Sequence, residues 1–520
     1  MKRAKSIWQF SSDKNISRVS GTKNKQMKKY IVAFASLAMV ACSKSHFDEL
    51  SKDPNRPVTV SPSLLLTNIE TSAFTAAGSN PGYMSHMLLN TDGAKDYQYF
   101  TFDRGSYGQY ATLLKISQMT QEANSHKVPQ YLPISQFFRC FYLYQLTMTF
   151  GDIPDSTSLQ AATGVYAPKY DLQKSVFLDI LNSLEAANND LKKYADANTY
   201  PVLGDVIYSG NVTKWRKLIN SFEIRVLLNL SLKANDVDLN VKQRFAAIIS
   251  DPNNYPIFQS NDDNAQLTYY NLANNRYPMY QSTADQRTYM DVQLVNFLKT
   301  AQDPRLFSFA QVTPNAKTAN KATTDFTAYA GADASLSFSD ARPLVSQGNV
   351  STINSRYFFD PINEPNVAFG YAELQFNIAE GIFRGWASGT VENYYKNGIQ
   401  ASMDFYAKYG NYKTSDYFTT TYATPAVQYN AANGLQQIMM QKYISFYMNS
   451  QYEAWYNLRR TGMPAVKLDG GGVQNGAKLP LRFMYPQSEI NTNNSNLSGA
   501  ISRQYPSGDN INGVMWILQP

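Results

Sequence analysis

Ile134-Ser135-Gln136-Phe137-Phe138-Arg139-Cys140-Phe141-Tyr142-Leu143-Tyr144-Gln145-Leu146-Thr147-Met148-Thr149-Phe150 is the stretch on which the fold reading turns. Phe137, Phe138, Phe141, Tyr144 and Met148 recur at three- and four-residue spacings, which places them on one face of an α-helix. The pattern stops at Gly151, and Pro154, with no N–H to donate, forbids its continuation. Downstream, Asp171 is expected to N-cap a strongly amphipathic helix carrying Val176, Phe177, Ile180, Leu181, Leu184, Ala187 and Leu191. Trp215, Leu218, Ile219, Phe222, Val226 and Leu230 repeat the pattern. Upstream, a helix from Pro62 is expected to bury Leu64, Leu65, Ile69 and Phe74. Helical signal returns at Ala372 to Trp386, Glu392 to Tyr406 and Leu435 to Leu458. Residues 251–290 and 312–365 are crowded with Asn, Asp, Gly, Pro, Ser and Thr and read as loops, as does the end from Gly462. The expected fold is mainly α: tetratricopeptide-like helical hairpins around a long loop-rich insert, with few and short strands and no clean 34-residue period.

The N-terminus reads as a targeting segment. Met27-Lys28-Lys29 is a basic start, Tyr30 to Val40 an apolar run, and Ala41 a small residue before Cys42, the order of a secretory signal. The run is shorter than the roughly 20 apolar residues a membrane-spanning helix needs. Met39-Val40-Ala41-Cys42 resembles a bacterial lipobox, with Met where Leu is more usual, and so predicts acylation of Cys42. An ordinary signal peptide with an incidental Cys is the alternative. Residues 1–26 read as an upstream mis-start or a long n-region. The expected organisation is 1–41 removed, 42–61 a lipidated tether ending in the turn-rich Asp53-Pro54-Asn55-Arg56-Pro57, and 62–520 the body.

Removing 1–41 changes the electrostatics. That segment holds nine Lys/Arg and one acid, so 47 basic and 40 acidic residues become 38 and 39, a net charge of −1 rather than +7. No broad basic face of the kind nucleic-acid binding requires is left. Cys140, inside an apolar run, then has no disulfide partner and reads as a buried structural thiol. Much of the 28 Phe must be core, whereas the 37 Tyr also fit surfaces that meet polar ligands, two uses that composition alone does not separate. A Tyr ring offers a flat apolar face and a hydroxyl, which suits the C–H face and hydroxyl rim of a sugar.

Five blocks in order then point to a family. Phe150-Gly151-Asp152-Ile153-Pro154 with Tyr170-Asp171, then Asp205-Val206-Ile207-Tyr208-Ser209-Gly210 with Lys214-Trp215 and Asn220-Ser221-Phe222-Glu223-Ile224-Arg225, resemble segments of SusD/RagB-like lipoproteins. So do Tyr371-Ala372-Glu373 to Ala379-Glu380 with Gly385-Trp386, and Gln441-Lys442-Tyr443-Ile444 with Glu453-Ala454-Trp455 and Arg459-Arg460-Thr461-Gly462-Met463-Pro464. Tyr485-Pro486 with Glu489 and Asn491 is similar to the closing block, although the Asn falls at a shorter spacing. The resemblance implies a SusD-like lid protein, anchored by lipid on the outer face of the outer membrane. Such a protein binds a glycan or a peptide and delivers it to a SusC-like TonB-dependent barrel. The motif residues themselves read as structural: Gly151 and Pro154 shape a helix exit, Trp215 and Trp455 are core, and Arg225, Arg459 and Arg460 pair with carboxylates or helix C-terminal carbonyls.

Ligands in this family meet variable loops, so contacts are sought in aromatic-polar clusters. One is Tyr97, Tyr99 and Phe100, with Asp96, Gln98, Asp103 and Arg104 around them; the other is Tyr269, Tyr270, Asn271, Arg276 and Tyr277, with Asn275 and Tyr280. The alternative use of each ring is to pack its loop onto the helices. Starch, host glycan, plant polysaccharide and peptide all fit such clusters.

Catalysis has little support. His46, His86 and His126 are far apart, and HExxH, GxSxG, P-loop and dinucleotide fingerprints are absent. A glycoside hydrolase needs only two carboxylates roughly 5–10 Å apart, so that alternative survives on the number of acids alone. A scaffold binding only proteins on its helical repeats is the third class. Asn261-Asp262-Asp263-Asn264 carries oxygen ligands but no EF-hand spacing and reads as a solvated turn. No catalytic residue, metal or cofactor is expected.

Overall fold

Pro62, with no N–H to leave unsatisfied, opens the first helix of the computed structural model, which describes residues 60–93, 95–195, 198–281 and 287–520. The Ser61 hydroxyl caps α1 (Pro62–Phe74) by accepting the Ser63 N–H at 3.3 Å. Its buried stripe runs through Leu65, Leu66, Ile69, Ala73 and Phe74, whereas Leu64 is 67 % exposed. The expected stripe was therefore one residue out of phase at its start. Cys42, the signal segment and nearly all of the tether lie outside the described residues.

Longer helices follow: α2 (Gln109–Ser125), α3 (Leu132–Phe150), α4 (Gln173–Leu191), α5 (Val212–Asn229) and α6 (Val241–Ser250). From α1 to α6 each packs on its successor, the stacked-helix arrangement the spacing predicts. At the centre Phe74, Phe137, Phe138, Phe141, Trp215 and Phe222 meet, mostly tilted or edge to face, with centroids 5.2–6.2 Å apart. This geometry puts the positive edge of one ring on the negative face of another.

The Gly151-Asp152-Ile153-Pro154 exit does more than end α3. Gly151 has φ +96°, and a Cβ there would run into the side chains of Gln504 and Tyr505. Asp152 Oδ1 accepts the Gln173 N–H at 2.8 Å, so the first turn of α4 is capped from another loop. Asp171, the expected cap, instead accepts the N–H groups of Asp155 and Ser156 at 3.1 and 2.7 Å. A one-dimensional reading assigns the cap to the nearest acid in the chain; the fold brings a better placed one.

The second half holds α7 (Val292–Thr300), α8 (Tyr371–Phe383), α9 (Val391–Ala407), α10 (Gly434–Ser445), α11 (Glu453–Thr461) and α12 (Asn494–Gln504). Phe376, Ala379, Tyr395, Ile399, Met403, Ile438 and Met439 form a second core, and α8 also packs on α5. Strands among the described residues are short: β1 (Leu88–Asn90), β2 (Ala265–Leu267), β3 (Thr288–Met290) and β4 (Asn366–Phe369). They pair antiparallel as β1 with β3 and β2 with β4.

Three departures from the sequence reading stand out. The stretch 435–458 is two helices, α10 and α11, broken at 446–452. The 312–365 insert contains the helices Pro314–Thr318, Phe338–Ser346 and Arg356–Phe359, and α12 with Gln487–Thr492 occupies the end expected to be irregular. All are anchored by tertiary contacts that periodicity cannot register. The Asn261–Asn264 turn is also more than a solvated one: Asp263 is buried against Lys217 at 2.8 Å, and Asn264 Oδ1 accepts the Tyr371 N–H at 2.8 Å.

Candidate functional site

A cleft of about 520 Å³ opens where five chain segments converge. The Asp96–Tyr99 helical turn supplies Tyr97, the following loop Arg104, and the start of α2 Gln109. The last turns of α3 supply Gln145, Thr149 and Phe150. Gln451, Tyr452 and Tyr456 come from the entry to α11, and Phe483 from the C-terminal part. Ala77, just past α1, completes one side.

The rings form a continuous wall. Tyr97 stacks on Phe102 at 5.5 Å and approaches Phe483 at 6.1 Å; Tyr452 meets Phe483 edge-on at 6.4 Å. The polar complement is uncharged apart from Arg104: Gln145 Nε2 donates to Gln451 Oε1 at 2.6 Å, and the Thr149 and Tyr456 hydroxyls lie 3.1 Å apart. Arg104 donates to the Tyr485 carbonyl at 2.7 Å and pairs with Asp509 at 3.1 Å. Below the wall Arg459 lies over Trp455 and Tyr456, 4.4 and 4.5 Å from the centroids, and donates to the carbonyls of Met148 and Leu481. Burial pulls its guanidinium down to about 10. Among the described residues no Asp, Glu, His or Cys lines the cleft.

The first predicted cluster divides on this surface. Tyr97 and Arg104 reach the cleft, whereas Tyr99 and Phe100 are buried, Phe100 stacked on His86 at 5.2 Å. The second cluster divides as well. The Tyr269 hydroxyl accepts the Ala76 N–H at 2.9 Å, and the Tyr269 ring meets buried Tyr277 edge-on at 5.3 Å. These two rings fasten the loop down. Tyr270 is 59 % exposed, and Asn271 and Arg276 are exposed beside it, Arg276 donating to Asn271 at 2.9 Å and lying over Tyr280 at 5.2 Å. The two clusters flank one segment: Ala76 holds Tyr269, Ala77 lines the cleft, and Ser79 touches Met279.

Sequence reasoning missed Gln145, Gln451, Tyr452, Tyr456 and Phe483. Gln145 and Tyr456 sit on helices whose periodicity marks only the apolar face, and Tyr452 was hidden inside a stretch read as one helix. Elsewhere among the described residues, Cys140 is buried with its thiol pushed up by desolvation, and burial lowers His86, whose ring nitrogens face the carbonyls of Lys467 and Gln98. Among the described residues no group of three or more His, Cys, Asp or Glu is placed to hold a metal, and no helix is long and apolar enough to cross a membrane.

The comparisons agree with this architecture. A SusD-like family model, described as starch-binding and associating with the outer membrane, matches residues 54–486. An outer membrane protein of Bacteroides vulgatus assigned to nutrient binding is 36 % identical, with a TM-score of 0.82 over 88 % of this chain and 100 % of that one. A SusD homologue from Bacteroides fragilis is 35 % identical, with a TM-score of 0.78 over 89 % of this chain and 100 % of its own. A chitin-binding SusD homologue from Flavobacterium johnsoniae shares the fold at 19 % identity and a TM-score of 0.67, over 88 % of this chain and 98 % of its own. Among curated proteins no sequence matches.

Proposed function

The chain belongs to the SusD-like family, and from that premise we propose that it is a cell-surface lipoprotein, acylated on Cys42, that binds an oligosaccharide in the cleft and delivers it to a SusC-like TonB-dependent barrel. The observation that carries the binding half is the cleft's composition: a wall of Tyr97, Tyr452 and Phe483 rings with Gln, Thr and Tyr side chains, and no carboxylate among the described lining residues. Rings bind the C–H face of a pyranose, and amides and hydroxyls match its rim in both donor and acceptor roles. Neither interaction changes a covalent bond, so the reading is capture without turnover. We propose that exposed Tyr270, Asn271 and Arg276, on the loop tied to Ala76 through Tyr269, serve as further contacts for a longer chain.

Calorimetry of the protein with starch-derived and chitin-derived oligosaccharides tests the binding: saturable heat with no new reducing ends is expected, and cleavage of the probe overturns the reading. Mass spectrometry of the membrane-purified protein tests the anchor, an acylated Cys42 being expected. Mild detergent extraction tests the partner: a large barrel protein co-purifies if the lid reading holds, and an unrelated soluble partner alone favours scaffolding instead.

A further inference from the structure

Resting on that binding reading, we infer that the connection between α10 and α11 is a preset clamp that makes Gln451, paired with Gln145, the residue that selects ligands by their adjacent hydroxyl groups. The first observation is conformational. Met448, Ser450 and Gln451 have φ of +57°, +57° and +52°, three side-chain-bearing residues in the left-handed region within four positions. Each is disfavoured by the approach of Cβ to the following carbonyl, and such clusters persist only where the surroundings impose them and concentrate at ligand clamps.

The surroundings do impose it. Ser450 N–H donates to the Val367 carbonyl at 2.8 Å, and Asn449 Oδ1 accepts the Val367 N–H at 2.8 Å, so the connection is bonded along β4. Asn449 Nδ2 is further held by Glu364 at 3.1 Å and the Tyr406 hydroxyl at 3.2 Å. What this backbone delivers is Gln451, directed into the cleft beside Tyr452. There its Nε2 donates to the Ala73 carbonyl at 3.0 Å and its Oε1 accepts from Gln145 at 2.6 Å. A primary amide has two N–H groups and two lone pairs, and each is half used at Gln451. The amide therefore keeps one donor and one acceptor, on a carboxamide whose other two positions are tied to Ala73 and Gln145. That pattern matches two vicinal hydroxyls of a pyranose lying on the Tyr452 ring.

Two variants test this by calorimetry with maltoheptaose and chitohexaose as probes. Gln451→Asn keeps a residue type that tolerates the left-handed region but shortens the side chain by one methylene, out of reach of Gln145. Gln145→Leu removes the other amide at similar volume from an ordinary helical backbone. Each is expected to weaken binding about tenfold, the effect of one lost hydrogen bond in a desolvated site, with Tm within a few degrees of the parent. A purely structural role predicts the reverse, lowered Tm with unchanged affinity, and that result, or parental affinity in either variant, overturns the inference alone. Failure of the unmodified protein to bind either probe instead overturns the oligosaccharide reading on which it rests.

Discussion

Arg225 and Glu373, 148 residues apart, meet as a bidentate pair in the interior, Nε to Oε1 at 2.7 Å and Nη2 to Oε2 at 2.6 Å. Arg225 also donates to the Ala368 carbonyl at 2.8 Å, lies over Phe369 at 4.4 Å, and has Glu453 at 3.8 Å. One guanidinium thus joins α5, β4, α8 and the start of α11. Arg225→Met leaves two buried carboxylates without the guanidinium that bonds them, with only Lys442 acting on both from farther off. It is expected to destabilise by about 3–5 kcal/mol, read from the midpoint of urea unfolding at unchanged slope; a shift equivalent to less than 1 kcal/mol contradicts this role.

Glu380 is the anionic counterpart on α8. Burial alone would raise its carboxyl, but Arg460, Lys442 and Arg384 hold it down to about 2, against 4.5 when unfolded. The folded value is the lower one, so its stabilisation is complete above pH 4.5 and is lost as pH falls toward 2. Glu380→Gln should therefore cost about 3 kcal/mol at neutral pH and progressively less below pH 4.5. A pH-independent difference between the two proteins argues against the mechanism.

Glu70 behaves in the opposite sense. Burial first, then the Asp205 carboxylate, push it up to about 10, although the Val206 N–H donates to it at 2.7 Å. A raised carboxyl value means that stability is greatest below pH 4.5 and declines as pH rises toward 10. Glu70→Gln, which is neutral throughout, should stabilise the protein by a few kcal/mol at pH 8 and leave it nearly unchanged at pH 4. Thermal melts at the two pH values decide it.

Gly381, in the last turn of α8, is read from sequence only as an ordinary helix position. A Cβ there meets the ring of buried Phe245. Gly381→Ala should therefore destabilise by about 1–3 kcal/mol through overpacking, although alanine is the better helix former. Gly381→Ala with Phe245→Leu should recover part of the loss; a stabilised single variant shows that α8 can shift freely.

In the cleft, Tyr452→Ala and Tyr97→Ala should each weaken oligosaccharide binding by about 1–2 kcal/mol, with little change in Tm. Tyr269→Phe removes the hydroxyl that receives Ala76 and should lower stability by about 1 kcal/mol while sparing affinity. If calorimetry and melting give the converse, the division between cleft rings and loop-fastening rings is wrong.

The sequence by itself determined a great deal of this protein: the helical stripes through Phe137, Phe141, Val176, Leu184, Trp215 and Phe222, the buried fates of Trp455 and Cys140, and the ordered motifs of the family. These follow from 3.6-residue periodicity and residue chemistry, which are local. Only the tertiary structure decided that Asp152 rather than Asp171 caps α4, that 435–458 breaks before Glu453, and that Tyr97 faces a cleft while Tyr269 and Tyr277 are packed away. It also decided that Tyr452, Gln145 and Gln451 complete that cleft. The reason is physical: a tyrosine's composition and neighbours are the same whether it packs or binds, and its exposure is set by elements hundreds of residues distant in the chain.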